Sequence, residues 1–292
     1  MKRLFSIALI MAVLLLVPSH TQLSAATTVV DPSSNVAVYI VPHADDEVLS
    51  FGVPILNDIR AGKKVYLVLI SPGEDSIARE VVNGVADNET ISPNYPPGKA
   101  VYCKWHKVYH KPEAEGYLHG HLTKAEFGQA RIQEFFKAGA ELGIPRTQLK
   151  TSIVPNGSFT YDSVKSVVAM YDRLFPNAQF KSFSSTDEHI EHALLGKILN
   201  DFYKQGRLSR KPMHYVSIQT DRFGTGTATD KEVPGYKLYL TDSTNKTKLT
   251  NAVNRVYKAW NPKAGAYGLG QHSVPAQFDS LLANPYTKVS NY

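Results

Sequence analysis

The chain has 292 residues, 43% hydrophobic and 20% charged, with a net charge of +6, which suffices for one large domain with a sizeable core. The charge is mild and dispersed, so no nucleic-acid partner is expected, although a basic surface would suit anionic cell-wall polymers. A single cysteine, Cys103, excludes an internal disulfide and a cysteine-rich metal site, so stability must rest on the core, and Cys103 itself reads as a small semi-buried side chain.

Lys2 and Arg3 precede an apolar run, Leu4 to Val17, which Pro18 ends and the small residues Ser24, Ala25 and Ala26 follow. That order predicts a secretory signal peptide over 1–26 and a mature domain over 27–292, hence a secreted or extracytoplasmic protein. An uncleaved anchor is the alternative, but the run is shorter than the about 20 apolar residues a span needs. Nothing later in the chain reads as transmembrane.

Val36–Val41 is a β-branched run that predicts a buried strand. A helix pattern follows from about Asp45 to Ala61, weakened in its middle by Gly52 and Pro54, and Gly62 stops it. Val65–Ile70 reads as a second buried strand, and strand, helix, strand with short connections is a βαβ unit. Residues 71–123 lack periodicity and hold many turn formers, so they predict an irregular excursion, crowded with Tyr102, Trp105, His106, Tyr109, His110, Tyr117, His119 and His121. It reads equally as a functional lid or as an ordered surface loop. Further helices are expected near 124–142, 163–174, 190–203 and 246–260, and strands near 149–154, 180–184 and 214–220. Lys263–His272 carries three glycines in ten positions and predicts a loop. The alternation predicts a single three-layer α/β domain, Rossmann-like, with a mainly parallel sheet.

Two polar clusters stand at predicted strand ends, where open α/β sheets place their sites. His43-Ala-Asp-Asp-Glu47 follows the first strand. If helical there, His43 and Asp46 project to one side and Asp45 is offset from both; the plain alternative is a helix start whose acids favour the helix dipole. Thr186-Asp-Glu-His-Ile-Glu-His192 follows a later strand, with His189 and His192 on one face. A histidine, a carboxylate and a second histidine with an open position suit a catalytic zinc better than a structural one.

These motifs resemble the PIG-L/LmbE family of zinc-dependent N-deacetylases. His43–Glu47 matches the family's His-Pro-Asp-Asp-Glu, and His189–His192 matches its His-x-x-His. The likeness also takes in Ser71-Pro-Gly-Glu74, Arg131-x-x-Glu134 and Leu142-Gly-Ile144, with Ala44 for proline and Ile190-Glu191 for proline-aspartate as departures. The resemblance implies that His43, Asp46 and His192 bind Zn2+, that Asp45 is the general base, and that His189 stabilises the oxyanion or protonates the amine. It implies site-facing Arg131 and Glu134; Tyr267, Gln271 and His272 in the glycine-rich loop are read as completing the substrate pocket. The expected activity is removal of an N-acetyl group from an amino sugar or glycan. Two alternatives stand beside it: a metal-independent glycoside hydrolase using Asp45 and Asp187, and a secreted glycan-binding protein.

Overall fold

The computed structural model describes residues 35–90, 93–224, 234–240 and 242–291; the expected signal peptide lies outside them. In chain order the strands are β1 (Val36–His43), β2 (Lys64–Ser71), β3 (Leu149–Thr151), β4 (Gln179–Phe183), β5 (Met213–Val216), β6 (Gly235–Tyr239), β7 (Trp260–Asn261), β8 (Ala266–Tyr267) and β9 (Tyr286–Ser290). The helices are α1 (Asp46–Leu49), α2 (Gly52–Arg60), α3 (Ala78–Asn83), α4 (Pro112–Glu115), α5 (Lys124–Glu141), α6 (Tyr161–Leu174), α7 (Ile190–Lys204), α8 (Ser243–Ala252), α9 (Leu269–Ser273) and α10 (Pro275–Ala283).

Among the described residues the main sheet runs β3-β2-β1-β4-β5-β9-β6. The first five strands are parallel, while β9 is antiparallel to both β5 and β6. The chain winds outward from β1 to β3, then restarts at β4 on β1's other side, so the winding reverses between β1 and β4. In such sheets the crevice beyond the carboxyl ends of those two strands is the place for a ligand.

Burial on both faces explains the unbroken apolar runs of β1 and β2. Ala37, Tyr39, Val41, Val65, Leu67 and Leu69 enter a core layer with α1, α2, α5 and α8. Val36, Val38, Ile40, Val68 and Ile70 point the other way, into a layer with α6 and α7. This is the predicted three-layer α/β architecture. The expected helix over 45–61 is broken at Ser50 and Phe51, and Pro54 falls in the first turn of α2, where its missing N–H costs nothing. The helix expected to Trp260 ends its regular part at Ala252 and widens into a π-turn over Val253–Tyr257. The 71–123 excursion is ordered through α3, α4 and a cluster of Ala78, Val82, Tyr117, Leu122 and Phe127 that shares Tyr267 and Leu269 with the C-terminal part. Gly84 is required there: at φ 72° a Cβ would lie 2.0 Å from the His110 carbonyl oxygen.

One charged group is sealed into the sheet. Lys181 on β4, 2% exposed, donates to Asp58 Oδ2 at 2.6 Å, which also accepts from Tyr39 Oη at 2.7 Å. Burial pushes the Lys181 ammonium down to about 8, against the pull of Asp58. Lys181→Met strands part of the buried Asp58 charge and should cost about 3 kcal/mol, read as a Tm lower by roughly 6–12 °C with the oligomeric state unchanged.

Candidate active site

His43 closes β1, and Asp46 opens α1 three residues later. His192 lies in the first turn of α7, which follows β4 after a short turn. Neighbouring parallel strands therefore deliver the two sequence clusters to one point. His43 Nδ1 lies 3.3 Å from His192 Nε2 and 3.5 Å from Asp46 Oδ2, and His192 Nε2 lies 3.3 Å from Asp46 Oδ2.

The outer ring nitrogens decide what these three atoms are. His43 Nε2 donates to Glu191 Oε2 at 2.7 Å, and His192 Nδ1 donates to Asp187 Oδ1 at 3.1 Å. With these protons directed outward, His43 Nδ1, His192 Nε2 and Asp46 Oδ2 turn inward on one another, an arrangement satisfied by a further proton on His192 or by a metal cation at its centre. Ligands about 2.1 Å from a tetrahedral zinc stand about 3.4 Å apart, which is the spacing observed, so the residues fit a metal. Asp187 is fixed in turn by the Ser217 and His189 amides, and Glu191 Oε1 by the Gly157 amide. Phe183 stacks on His192 with centroids 4.1 Å apart, leaving its ring little freedom.

Asp45 stands beside this trio in strained backbone, at φ 137°. Two side chains, Arg131 and Glu47, hold it there. Arg131 Nη2 donates to the Ala44 carbonyl and to Asp45 Oδ2, the latter at 3.0 Å, and Arg131 Nε donates to the Pro72 carbonyl. The Asp45 amide donates to Glu47 Oε2 at 3.0 Å, and Glu47 Oε1 accepts from Tyr257 Oη. Burial lifts the Asp45 carboxyl to about 6, Arg131 opposing and Asp46 assisting. His189 sits at the mouth with one side to water and the other against His43 and His192, at centroid distances of 5.0 and 4.5 Å. Loss of water on that inner side, then the two neighbouring rings, hold it down at about 4, so at neutral pH it is an uncharged N–H donor and a poor proton donor.

These groups open on a cleft of about 300 Å³, walled by Leu49, Ile218 and Val274 and edged by Asn156, Gln219 and Gln277, a size suited to a small polar ligand. Of the expected site residues, His43, Asp45, Asp46, Arg131, His189 and His192 line it. The other four, expected to meet substrate, do not line it. Glu134 is buried and accepts from the Leu269 and Gly270 amides, holding the start of α9. Tyr267 is buried with its hydroxyl against His119 Nδ1 at 2.9 Å, and Gln271 and His272 are buried on α9. The residue that does reach the cleft from this stretch is the adjoining Ser273, with Val274 and Gln277 beyond it. Asp187, required to face substrate in the glycoside-hydrolase alternative, is instead committed to His192.

Arg131 thus acts on Asp45, and a test follows. Arg131→Met removes the charge that lowers Asp45, so the acid limb of the rate profile should move upward from about pH 6. Leaving Asp45 buried and unpaired should also cost about 3 kcal/mol of stability. An unmoved limb would show that Arg131 serves only packing.

The sequence model of the family described as PIG-L, GlcNAc-PI de-N-acetylase, matches residues 38–203, more than half the chain. No curated protein sequence matches. Among solved structures, the A40926 pseudoaglycone deacetylase Dbv21 is similar at 13% identity over 87% of this chain and 95% of that one, with a TM-score of 0.52. A triple mutant of a deacetylase from the teicoplanin biosynthetic pathway is similar at 14% identity over 87% and 96%, with a TM-score of 0.51. The 4-carboxy-2-hydroxymuconate hydratase GalB of Pseudomonas putida KT2440 aligns at 16% identity over 87% and 95%, with a TM-score of 0.47. The two deacetylase likenesses are likenesses of fold.

Proposed function

As the chain belongs to the PIG-L family of GlcNAc-PI de-N-acetylases, we propose that it is a zinc-dependent N-deacetylase that hydrolyses the N-acetyl amide of an amino sugar or glycan. The observation that carries this reading is the convergence of His43 Nδ1, Asp46 Oδ2 and His192 Nε2 at 3.3–3.5 Å beside an unligated, pKa-raised Asp45. Zinc held by these three residues would supply Lewis-acid polarisation of the amide carbonyl and make water easier to deprotonate.

The chain's own groups divide the remaining work. Asp45, poised near 6, takes a proton from the attacking water as its oxygen adds to the carbonyl carbon. The neutral His189 donates its N–H to the oxyanion that develops. As the carbon–nitrogen bond breaks, Asp45 returns its proton to the departing nitrogen, so amide and water become a carboxylate and an ammonium group. Arg131 keeps Asp45 aimed throughout. The amino-sugar class is inferred from the family description, and the cleft's polar rim of Asn156, Gln219 and Gln277 suits hydroxyl-rich rings. Export is part of the same proposal, on the strength of Lys2, Arg3 and the apolar run to Val17.

Dialysis against a chelator should abolish acetate release from a panel of N-acetylated sugars, and zinc should restore it. Activity that survives with the metal gone would overturn the reading and favour carboxylate-only chemistry.

A further inference from the structure

A second group of potential ligands lies outside the cleft. Cys103, His106 and His110 come from the excursion and His272 from α9, and one donor atom from each lies within 4.8 Å of all the others. Cys103 Sγ is 3.8 Å from His106 Nδ1, and His106 Nδ1 is 3.2 Å from His110 Nε2. A tetrahedral zinc with Zn–S about 2.3 Å and Zn–N about 2.05 Å sets sulfur–nitrogen edges near 3.6 Å and nitrogen–nitrogen edges near 3.3 Å. Those two edges are of that size, and the remaining ones lie within 4.8 Å.

The surroundings are arranged as they are around a metal. His110 Nδ1 donates to Glu115 Oε2 at 3.0 Å, and His272 Nδ1 donates to the Gly268 carbonyl at 2.8 Å, so the Nε2 lone pairs of both rings point inward. The chain turns tightly between Cys103 and Val108, with Lys107 at φ 60°. In that turn the His106 amide donates to Cys103 Sγ at 3.2 Å. Trp260 lies 4.4, 4.8 and 5.3 Å from the rings of His106, His110 and His272, and Trp105 stacks on His106 at 4.1 Å. These indoles pack against all three histidine rings. Gly268 makes room for one of them, since a Cβ there would lie 2.9 Å from Trp105.

A metal-free network does not account for this. A proton on His106 Nδ1 satisfies His110, but His272 Nε2 has no partner among the described residues, on a residue only 7% exposed. A buried acceptor left unmet costs about 1–3 kcal/mol; a cation meets all four donor atoms at once.

We propose that Cys103, His106, His110 and His272 form a second zinc site, closed and structural, that fastens the 71–123 excursion to α9 and so to the lip of the cleft at Ser273. Four protein ligands leave no open position for water or substrate, which separates it from the three-ligand centre at His43. It acts as a cross-link in a chain whose one cysteine allows no internal disulfide. The proposal does not depend on the deacetylase reading.

The untagged full chain, purified without chelator, should carry two zinc equivalents by elemental analysis and native mass spectrometry. Replacing zinc with Co2+ should give a near-ultraviolet thiolate-to-cobalt charge-transfer band. Only Cys103 can produce it, because the chain holds no other cysteine. Cys103→Ser should lose the band and one equivalent, whereas His192→Ala should keep the band and lose the other equivalent. A wild-type protein that takes up one equivalent and shows no such band overturns the proposal, and this result needs no variant to fold.

Discussion

Asp45→Asn should lower kcat roughly 10²–10⁴-fold, the usual contribution of a positioned general base, while leaving KM and zinc content near wild type. The reason lies in the separation of roles within one pentapeptide. Asp46 turns toward His43 and His192, whereas Asp45, held at φ 137° by Arg131 and the Glu47 carboxylate, stays free of the ligand trio. Its pH signature follows from the direction of the shift. Burial raises Asp45 to about 6, so the active carboxylate form is complete above that pH and is lost below it. The wild-type kcat/KM should therefore fall about tenfold per unit below pH 6, and the residual activity of the Asn variant should lack that limb. A variant with more than a tenth of wild-type kcat would remove Asp45 from the chemistry.

The sheet and the cluster at its edge were legible for a physical reason. Strands buried on both faces, such as Val36–Val41 and Val65–Ile70, must be apolar throughout, and polar residues directly after them are conspicuous. The antiparallel edge was not legible: Gly235–Tyr239 is the outermost strand and stays largely exposed, Tyr236 and Tyr239 included, while Tyr286–Ser290, although mostly buried, interrupts its apolar pattern with Thr, Lys and Ser. Lys263–His272 misled for another reason. Its glycines suggest a loop, but Glu134 accepts the amides of Leu269 and Gly270 and so starts a short helix there. That contact comes from α5, far away in sequence, and it carries Gln271 and His272 into the interior. The orienting carboxylates were hidden differently. Glu191 looked like a departure from the family's motif, and Asp187 like a second carboxylate for a glycoside hydrolase, until the outer nitrogens of His43 and His192 located their partners. A rule of one hydrogen-bond acceptor for each ligand histidine would have pointed to acids near the motif without identifying them.

On the proposed function, His192→Ala should lose zinc binding at the cleft and bring amide hydrolysis to background, but the more informative variants are Asp187→Asn and Glu191→Gln. Each leaves the three ligands intact and removes the carboxylate that fixes one ring. Affinity for zinc should fall about 10–100-fold, and saturating zinc should restore most of kcat. The proton adds a second readout. Without a metal, burial opposes the charged His192 imidazole, but Asp46 and Asp187 outweigh it and raise the group to about 10. A ligand nitrogen that holds a proton up to that pH must release it when zinc binds, so affinity should rise with pH through neutrality. Calorimetric titrations in buffers of different ionisation enthalpy should report close to one proton released at this site. Asp187→Asn weakens the hold on that proton as well as on zinc, so its proton release at neutral pH should shrink and its affinity should depend less on pH. An unchanged proton count together with unchanged affinity would mean that Asp187 supports the fold and does not tune the ligand.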